Sequence, residues 1–200
     1  MAAPLWKSIL LVLFAYLLGS IASAVLVARA LRLPDPRQHG SGNPGATNIL
    51  RLGGKRAAAL TLLGDMLKGL VPVLVARGLG LDGWPLASVA LAAFLGHLFP
   101  LYFGFRGGKG VATALGILLA YVPLLGLCVL LTWIVVFAWR RVSSLAALVA
   151  TLIAPLLAWA FALPLPAKSL VLTLAILVLW RHRSNLSRLL RGEEPGFRPS

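Results

Sequence analysis

Acidic side chains are nearly missing from this chain: five Asp and Glu stand against 19 Lys and Arg, a formal net charge of +14. Neither of the two glycine-rich polar patches, residues 37–51 and 96–113, contains a carboxylate. That excludes a Ser-His-Asp set with hydrolase spacing built from them. Cysteine occurs once, as Cys128 inside an apolar run, so a disulfide and a cysteine metal cluster are excluded and the thiol reads as packing. Charged residues of either sign make up only 12% of the chain.

Hydrophobic residues supply 60% of the sequence and the mean hydropathy is +0.92, values of an integral membrane protein rather than a soluble domain. Lys and Arg lie mostly beside apolar segments, not along a soluble helix face. The positive charge therefore reads as topology plus affinity for anionic lipid and substrate, not as nucleic-acid binding. Spans are expected at residues 4–30, 57–76, 86–103, 144–163 and 169–180 with its flanks. The first is too long for a cleaved leader, and Gly19, Ser20, Ala22, Ser23 and Ala24 give it a small-residue packing face. Pro34 and Pro36 break any helix in the polar stretch 31–54. Residues 111–139 are too many for one span of about 20 residues and too few for two. Gly116, Pro123 and Gly126 are expected to break them into a hairpin of two short helices. Residues 181–200 are expected as a short helix and a loose end.

The fold class is thus an all-α integral membrane protein of seven transmembrane helices, some short or broken, forming a single domain over residues 1–200. With seven passes, Arg29, Arg32, Arg37, Arg51, Lys55, Arg56, Arg106, Lys109, Arg140, Arg141 and the tail arginines share one side. Lys7, Arg77 and Lys168 fall on the other. The positive-inside rule then puts the amino terminus outside and the carboxyl terminus in the cytosol.

This topology brings four polar stretches to one face. In the first, Ser41, Asn43, Thr47 and Asn48 offer side-chain donors, Gly40, Gly42 and Gly45 let the backbone approach a ligand, and Arg51 lies one helical turn past Asn48. In the second, Gly107, Gly108, Lys109 and Gly110 lead into a helix, which presents backbone donors and a positive dipole end to an anion. This is not a nucleotide-binding Walker loop, because Gly110 stands where Ser or Thr would hold magnesium and no strand precedes it. Ser143 or Ser144 is placed to cap its helix. His182 and Asn185 are one turn apart and face the same way. Asp65 and Lys68 share a helical face at membrane depth, either as part of a polar site or as a structural ion pair. His97, inside an apolar helix, calls for a partner. His39, beside an exposed loop, reads as unremarkable.

The segments HGSGNPGATNILR, GHLFPLYFGFRGGKGVAT, the Val-Ser-Ser-Leu at 142–145 and the terminal RHRSNLSRLLRGEE resemble the motifs of the bacterial acyl-phosphate:glycerol-3-phosphate acyltransferases, the PlsY family, over nearly the whole chain. One departure is Ala22, where many members carry proline, a change expected to alter helix shape more than chemistry. The resemblance implies a cytosolic active site in the inner membrane. It also implies transfer of a fatty acyl group from acyl phosphate to the 1-hydroxyl of glycerol 3-phosphate, giving lysophosphatidic acid and phosphate. By that pattern His182, Asn185, Ser144, Lys109 and Arg51 are the catalytic set. Ser41, Gly42, Asn43, Gly45, Thr47, Asn48, His97, Gly107, Gly108, Gly110 and Thr113 bind substrate. Arg51 and Lys109 anchor phosphate, Gly107 and Gly108 contact the acyl-phosphate head, and His182 with Asn185 orients glycerol 3-phosphate.

Two dianions held side by side, and the further negative charge of acyl transfer, require basic groups and aimed donors. Acyl phosphate is already activated, so direct attack is expected with a donor phosphate oxygen taking the proton, and His182 as the alternative base. No cofactor or metal is expected. The expected partners are acyl phosphate, glycerol 3-phosphate and membrane lipid, with the chain acting as a monomer and no nucleic acid bound. A transporter of an anionic phosphate compound is the rival reading, but it needs a path to the far face, where the turns at 78–85 and 163–168 are short and nearly uncharged.

Overall fold

The computed structural model describes residues 4–197, so the last part of the expected loose end, Pro199 included, lies outside the described residues. The described residues form helices α1 (Leu5–Gly19), α2 (Ser23–Ala30), α3 (Ala46–Gly78), α4 (Gly83–Leu98), α5 (Val111–Tyr121), α6 (Pro123–Arg140), α7 (Ser143–Ala160), α8 (Leu165–Arg181) and α9 (Arg183–Leu190), with a 3-10 turn at Leu101–Phe103 and no strand. Four of them are long and apolar enough to cross a membrane: α3, α4 with its 3-10 extension, α6 and α7. The pairs α1/α2, bent by 43°, and α8/α9, bent by 61°, each make one more candidate span, and α5 is a shorter apolar helix. A large share of the outward side chains on these helices are exposed Leu, Ile, Val and Trp, the surface that hydrocarbon covers.

Two expected elements differ. The first span is not one helix over 4–30 but breaks at residues 20–22. The break forms here without proline, and it leaves the Ile21 carbonyl outside the helical ladder, where Lys68 Nζ reaches it at 2.7 Å. The second helix begins at Ala46 rather than near 57 and kinks at Gly54, whose φ of 76° lies in the left-handed region. The hairpin over 111–139 forms, with its break at Val122–Pro123, but only α5 is short; α6, with 18 residues, is long enough to cross. Gly116 and Gly126 stay helical.

Those glycines are used for contact. A Cβ on Gly116 would meet Met66 O at 2.1 Å, and one on Gly69 would meet Thr113 O at 2.3 Å, so α3 and α5 lie backbone to backbone. Gly19 against Ala93 O and Gly96 against Tyr16 O do the same for α1 and α4. Such small-residue seams let membrane helices approach where no side chain fits. Ser23 packs against Gly64 and Ser20 Oγ donates to Tyr16 O at 2.8 Å, so both serines serve packing. α6, in contrast, buries only Leu125 and Gly126.

Asp65 and Lys68 form a buried ion pair of 2.9 Å. Thr113 Oγ1 donates to Asp65 O at 2.8 Å and lies 3.1 Å from His97 Nδ1. The two charges thus neutralise each other while closing the α1/α2 break. Lys68→Ala is expected to strand the Asp65 charge and lower stability by about 3–5 kcal/mol, read by thermal unfolding in detergent. The double variant Asp65→Ala, Lys68→Ala is expected to lose less than the sum of the two single losses.

Candidate active site

The four polar stretches meet at one end of the bundle. A Cβ on Gly108 would sit 3.2 Å from Pro44 O, Thr47 Oγ1 lies 3.1 Å from Ser143 Oγ, and Lys109 Nζ donates to Asn185 Oδ1. At the far end Lys7 donates to Leu79 O and Arg77 to Tyr121 O at 2.6 Å. Between these stretches lies a cavity of about 770 Å³ whose mouth is lined by Ser41, Gly42, Asn43, Gly45, Thr47, Asn48, Arg51, Gly107, Lys109, Gly110, Ser144, His182 and Asn185. Its deeper walls are apolar: Leu115 and Leu118 of α5, Val129 and Trp133 of α6, Ala147, Ala150 and Ala154 of α7, Val171, Leu174 and Val178 of α8.

The glycine loop is built by close approach and by a turn. A Cβ on Gly107 would meet His97 O at 2.0 Å, and Gly110 holds φ at +86° directly before α5. Arg181 Nε and Nη2 donate to Gly108 O and Gly107 O at 3.0 and 2.6 Å, so this side chain fixes the loop by its carbonyls. The first turn of α5 leaves amides without helical acceptors, and Gly110, Val111 and Ala112 line the cavity there. Lys109 stands beside them. Burial, with Arg188, Arg181 and Arg51 nearby, pushes its pKa down to about 8 against the opposing pull of Glu194.

Four residues take other places or other roles than expected. Gly108 lies behind the lining, against His97 Nε2, and Thr113 is fully buried between Asp65 and His97. His97 reaches the cavity wall but is 6% exposed, and its Nε2 has no hydrogen-bond partner among the described residues. Asn48 is a buried organiser of its own loop: its amide donates to Pro36 O and His39 O at 2.9 and 3.0 Å, and its Oδ1 accepts from Ser41 N at 3.0 Å. Neither Ser143 nor Ser144 caps α7 through its side chain.

His182 sits at the break between α8 and α9. Its Nδ1 donates to Val178 O at 2.8 Å, which leaves Nε2 as an acceptor. Burial pushes its pKa down to about 4, so the ring is neutral near pH 7. Asn185, one turn on, bridges Lys109 to Glu194, donating to Glu194 Oε1 through Nδ2.

Sequence reasoning missed Glu194, Arg181 and Arg188. The tail does not hang loose through residue 197: it returns over the mouth. Glu194 accepts from Ser144 Oγ at 2.7 Å and Arg188 Nε at 2.6 Å, Pro195 O accepts from Arg51 at 3.4 Å, and Phe197 N donates to Arg141 O at 2.8 Å. Burial pushes the Glu194 carboxyl up, but the hydrogen bonds from Ser144, Asn185 and Arg188 outweigh it and hold the pKa below the usual value. Arg188 was legible, three residues past Asn185 on the same face. Glu194 follows the turn at Gly192 and carries no periodic signal.

The mouth therefore gathers Arg51, Lys109, Arg181 and Arg188 around Glu194, with Arg183 at the rim, above a mainly apolar channel, an arrangement for an anionic head and a hydrocarbon tail. The sequence profile described as glycerol-3-phosphate acyltransferase matches residues 9–192. The glycerol-3-phosphate acyltransferase of Thioalkalivibrio sulfidiphilus is 60% identical over 185 residues, covering 92% of this chain and 91% of that one. That of Methylococcus capsulatus is 55% identical over 185 residues, covering 92% and 93%. The crystal structure of PlsY (YgiH), an integral membrane glycerol 3-phosphate acyltransferase, superposes in its glycerol 3-phosphate form with a TM-score of 0.91 at 43% identity, covering 96% of each chain. The lysophosphatidic acid form gives 0.89, also at 43% identity, covering 96% of this chain and 95% of that one. Matched along nearly its whole length in sequence and in helical architecture, the chain belongs to the glycerol-3-phosphate acyltransferase family.

Proposed function

We propose that this chain transfers a fatty acyl group from acyl phosphate to the 1-hydroxyl of glycerol 3-phosphate, releasing lysophosphatidic acid and inorganic phosphate. The observation that carries the reading is the junction of a cationic mouth with an apolar channel in one cavity. Glycerol 3-phosphate lies in the mouth with its phosphate on Lys109 and Arg51. The acyl-phosphate head sits at the amino end of α5 and the hydrocarbon runs along the alanine face of α7. His182 Nε2 and Asn185 orient the attacking hydroxyl, and the mouth's donors stabilise the oxyanion as it forms. A base with a pKa of about 4 takes up a proton poorly near neutrality, which supports the donor phosphate oxygen as the acceptor and His182 as an orienting group.

In this reading the whole chain, residues 1–200, is one domain and acts as a monomer without cofactor or metal. The α1/α2 pair, α5 and α8 count as passes beside the four long helices, making seven, with the amino terminus outside. The mouth faces the cytosol of a bacterial inner membrane because the basic residues cluster at its end. The second cavity, about 510 Å³ beside Arg77 and Tyr121, shares no lining residue with the first, which favours an enzyme over a transporter.

The deciding experiment mixes purified protein, acyl phosphate and glycerol 3-phosphate and follows phosphate release in the presence of a chelator. Turnover is expected, and Arg51→Ala and Lys109→Ala are each expected to lower kcat/KM roughly ten- to hundredfold. Absence of product with folded protein overturns the proposal.

Lys109 carries its charge below about pH 8, and a phosphate monoester is a dianion above about pH 6. KM for glycerol 3-phosphate is therefore expected to be lowest between those values and to climb as Lys109 deprotonates. Lys109→Arg is expected to remove the alkaline limb, since Arg keeps its charge.

The channel sets the donor. Ala150→Leu narrows it, so long-chain acyl phosphates are expected to lose roughly fourfold in kcat/KM for each methylene displaced, while short-chain donors keep their rates. Equal loss at all lengths would put the chain elsewhere.

A further inference from the structure

Helix α9 presents three different flanks. At about 100° per residue, Asn185, Arg188 and Leu189 turn toward the site, and Asn185 is buried there. Ser184, Ser187 and Arg191 form a polar flank. Between them lies a third strip, Leu186 at 47% and Leu190 at 82% exposure, with Arg183 beside it, covered by nothing among the described residues.

This strip continues a lipid-facing one. Leu172, Ile176 and Trp180, spaced by four residues along α8, are all exposed, and the 61° bend after Arg181 swings α9 away from the α8 axis. Arg183 lies over Trp180, 5.3 Å from its ring centroid, and at the same end of the bundle Arg140 lies over the exposed Trp139 at 5.0 Å. Arginines paired with tryptophan at helix ends mark the level where hydrocarbon gives way to headgroups. Arg183 is exposed and also reaches the rim of the cavity, while Arg191 and Glu193 face outward and pair at 2.8 Å in an exposed bridge. Such a bridge is weak.

We propose that α9 lies in the membrane interface, its Leu186 and Leu190 dipped below the headgroups and Arg183 and Arg191 holding anionic phospholipid. The occupant is the lipid surface, selected by charge complementarity and by continuity with the hydrocarbon-facing strip of α8. Amphipathic helices with basic and leucine flanks bind anionic leaflets in this way, each basic side chain contributing roughly fivefold in affinity. The same helix carries Asn185 against Lys109 and Arg188 against Glu194. Anionic lipid thereby fixes the register of those residues, and the enzyme's turnover depends on the charge of its own bilayer. This kinetic consequence rests on the acyl-transfer reading, but the placement of α9 does not.

The test uses the full chain with Cys128→Ala as background and a spin label at Leu190→Cys or Ser187→Cys, in vesicles of phosphatidylcholine alone or with phosphatidylglycerol. With phosphatidylglycerol the label at 190 is expected to meet dissolved oxygen and be shielded from a water-soluble relaxation agent, while that at 187 stays in water. Equal water exposure at both positions in both vesicles overturns the placement. In unlabelled protein, phosphatidylglycerol is expected to raise kcat severalfold without lowering KM for glycerol 3-phosphate, because an anionic surface repels that dianion. Arg191→Ala, which leaves the cavity lining untouched, is expected to weaken the increase and keep the rate seen in phosphatidylcholine. A kcat indifferent to phosphatidylglycerol overturns the coupling. Loss of all acyl transfer with the label still buried rejects the enzymatic reading and leaves the lipid contact standing.

Discussion

The Ile21 carbonyl, left outside the helical ladder where α1 stops and α2 starts, takes its hydrogen bond from Lys68, and much of the interior follows from that need. Hydrocarbon offers no water to a bare carbonyl. A lysine reaching it at this depth brings a charge, which Asp65 neutralises at 2.9 Å. Asp65 lies 3.7 Å from His97 and lends its backbone carbonyl to Thr113. His97 in turn lies directly beneath Gly108. One interrupted helix is thus joined, through a run of buried polar groups, to the underside of the loop that opens α5.

Above that loop the balance of charge changes. In the buried cluster Asp65 and Lys68 offset each other, whereas the mouth carries an excess of cations: Arg51, Lys109, Arg181 and Arg188 surround Glu194. Arg181 spends its donors on backbone carbonyls and Arg188 on Glu194, so these two hold the frame. Lys109, which among the described residues donates to Asn185, and Arg51, on the rim, are charges left to meet an anion. A site whose donors are fixed before the substrate arrives needs little reorganisation as charge develops, the condition under which electrostatic stabilisation is most effective.

Much of this was legible in the sequence. The apolar runs and the proline at 123 gave most of the helices, and the structure brings the four polar stretches together as their shared basic charge suggested. The motifs placed Lys109, Ser144, His182 and Asn185 together, and the structure brings them to one mouth. What was not legible is of two kinds. Helix breaks such as that at residues 20–22 depend on a partner far along the chain, here Lys68, which no local pattern announces. Roles likewise depend on direction: Asn48 has the composition of a ligand donor, yet every one of its bonds turns inward to its own loop. Glu194 escaped for a third reason, since a reversal at Gly192 brings a residue from an irregular tail into contact with helices that precede it by dozens of positions.

That reversal has a practical side. With Phe197 held to Arg141 by its amide and set edge-on against Phe137 at 5.8 Å, the described tail, up to Phe197, is moored beside the mouth of the cavity. A reporter or purification handle joined there emerges next to that doorway. One joined ahead of α1, whose start lies beside Leu79 at the opposite end, has the thickness of the bundle between itself and the chemistry.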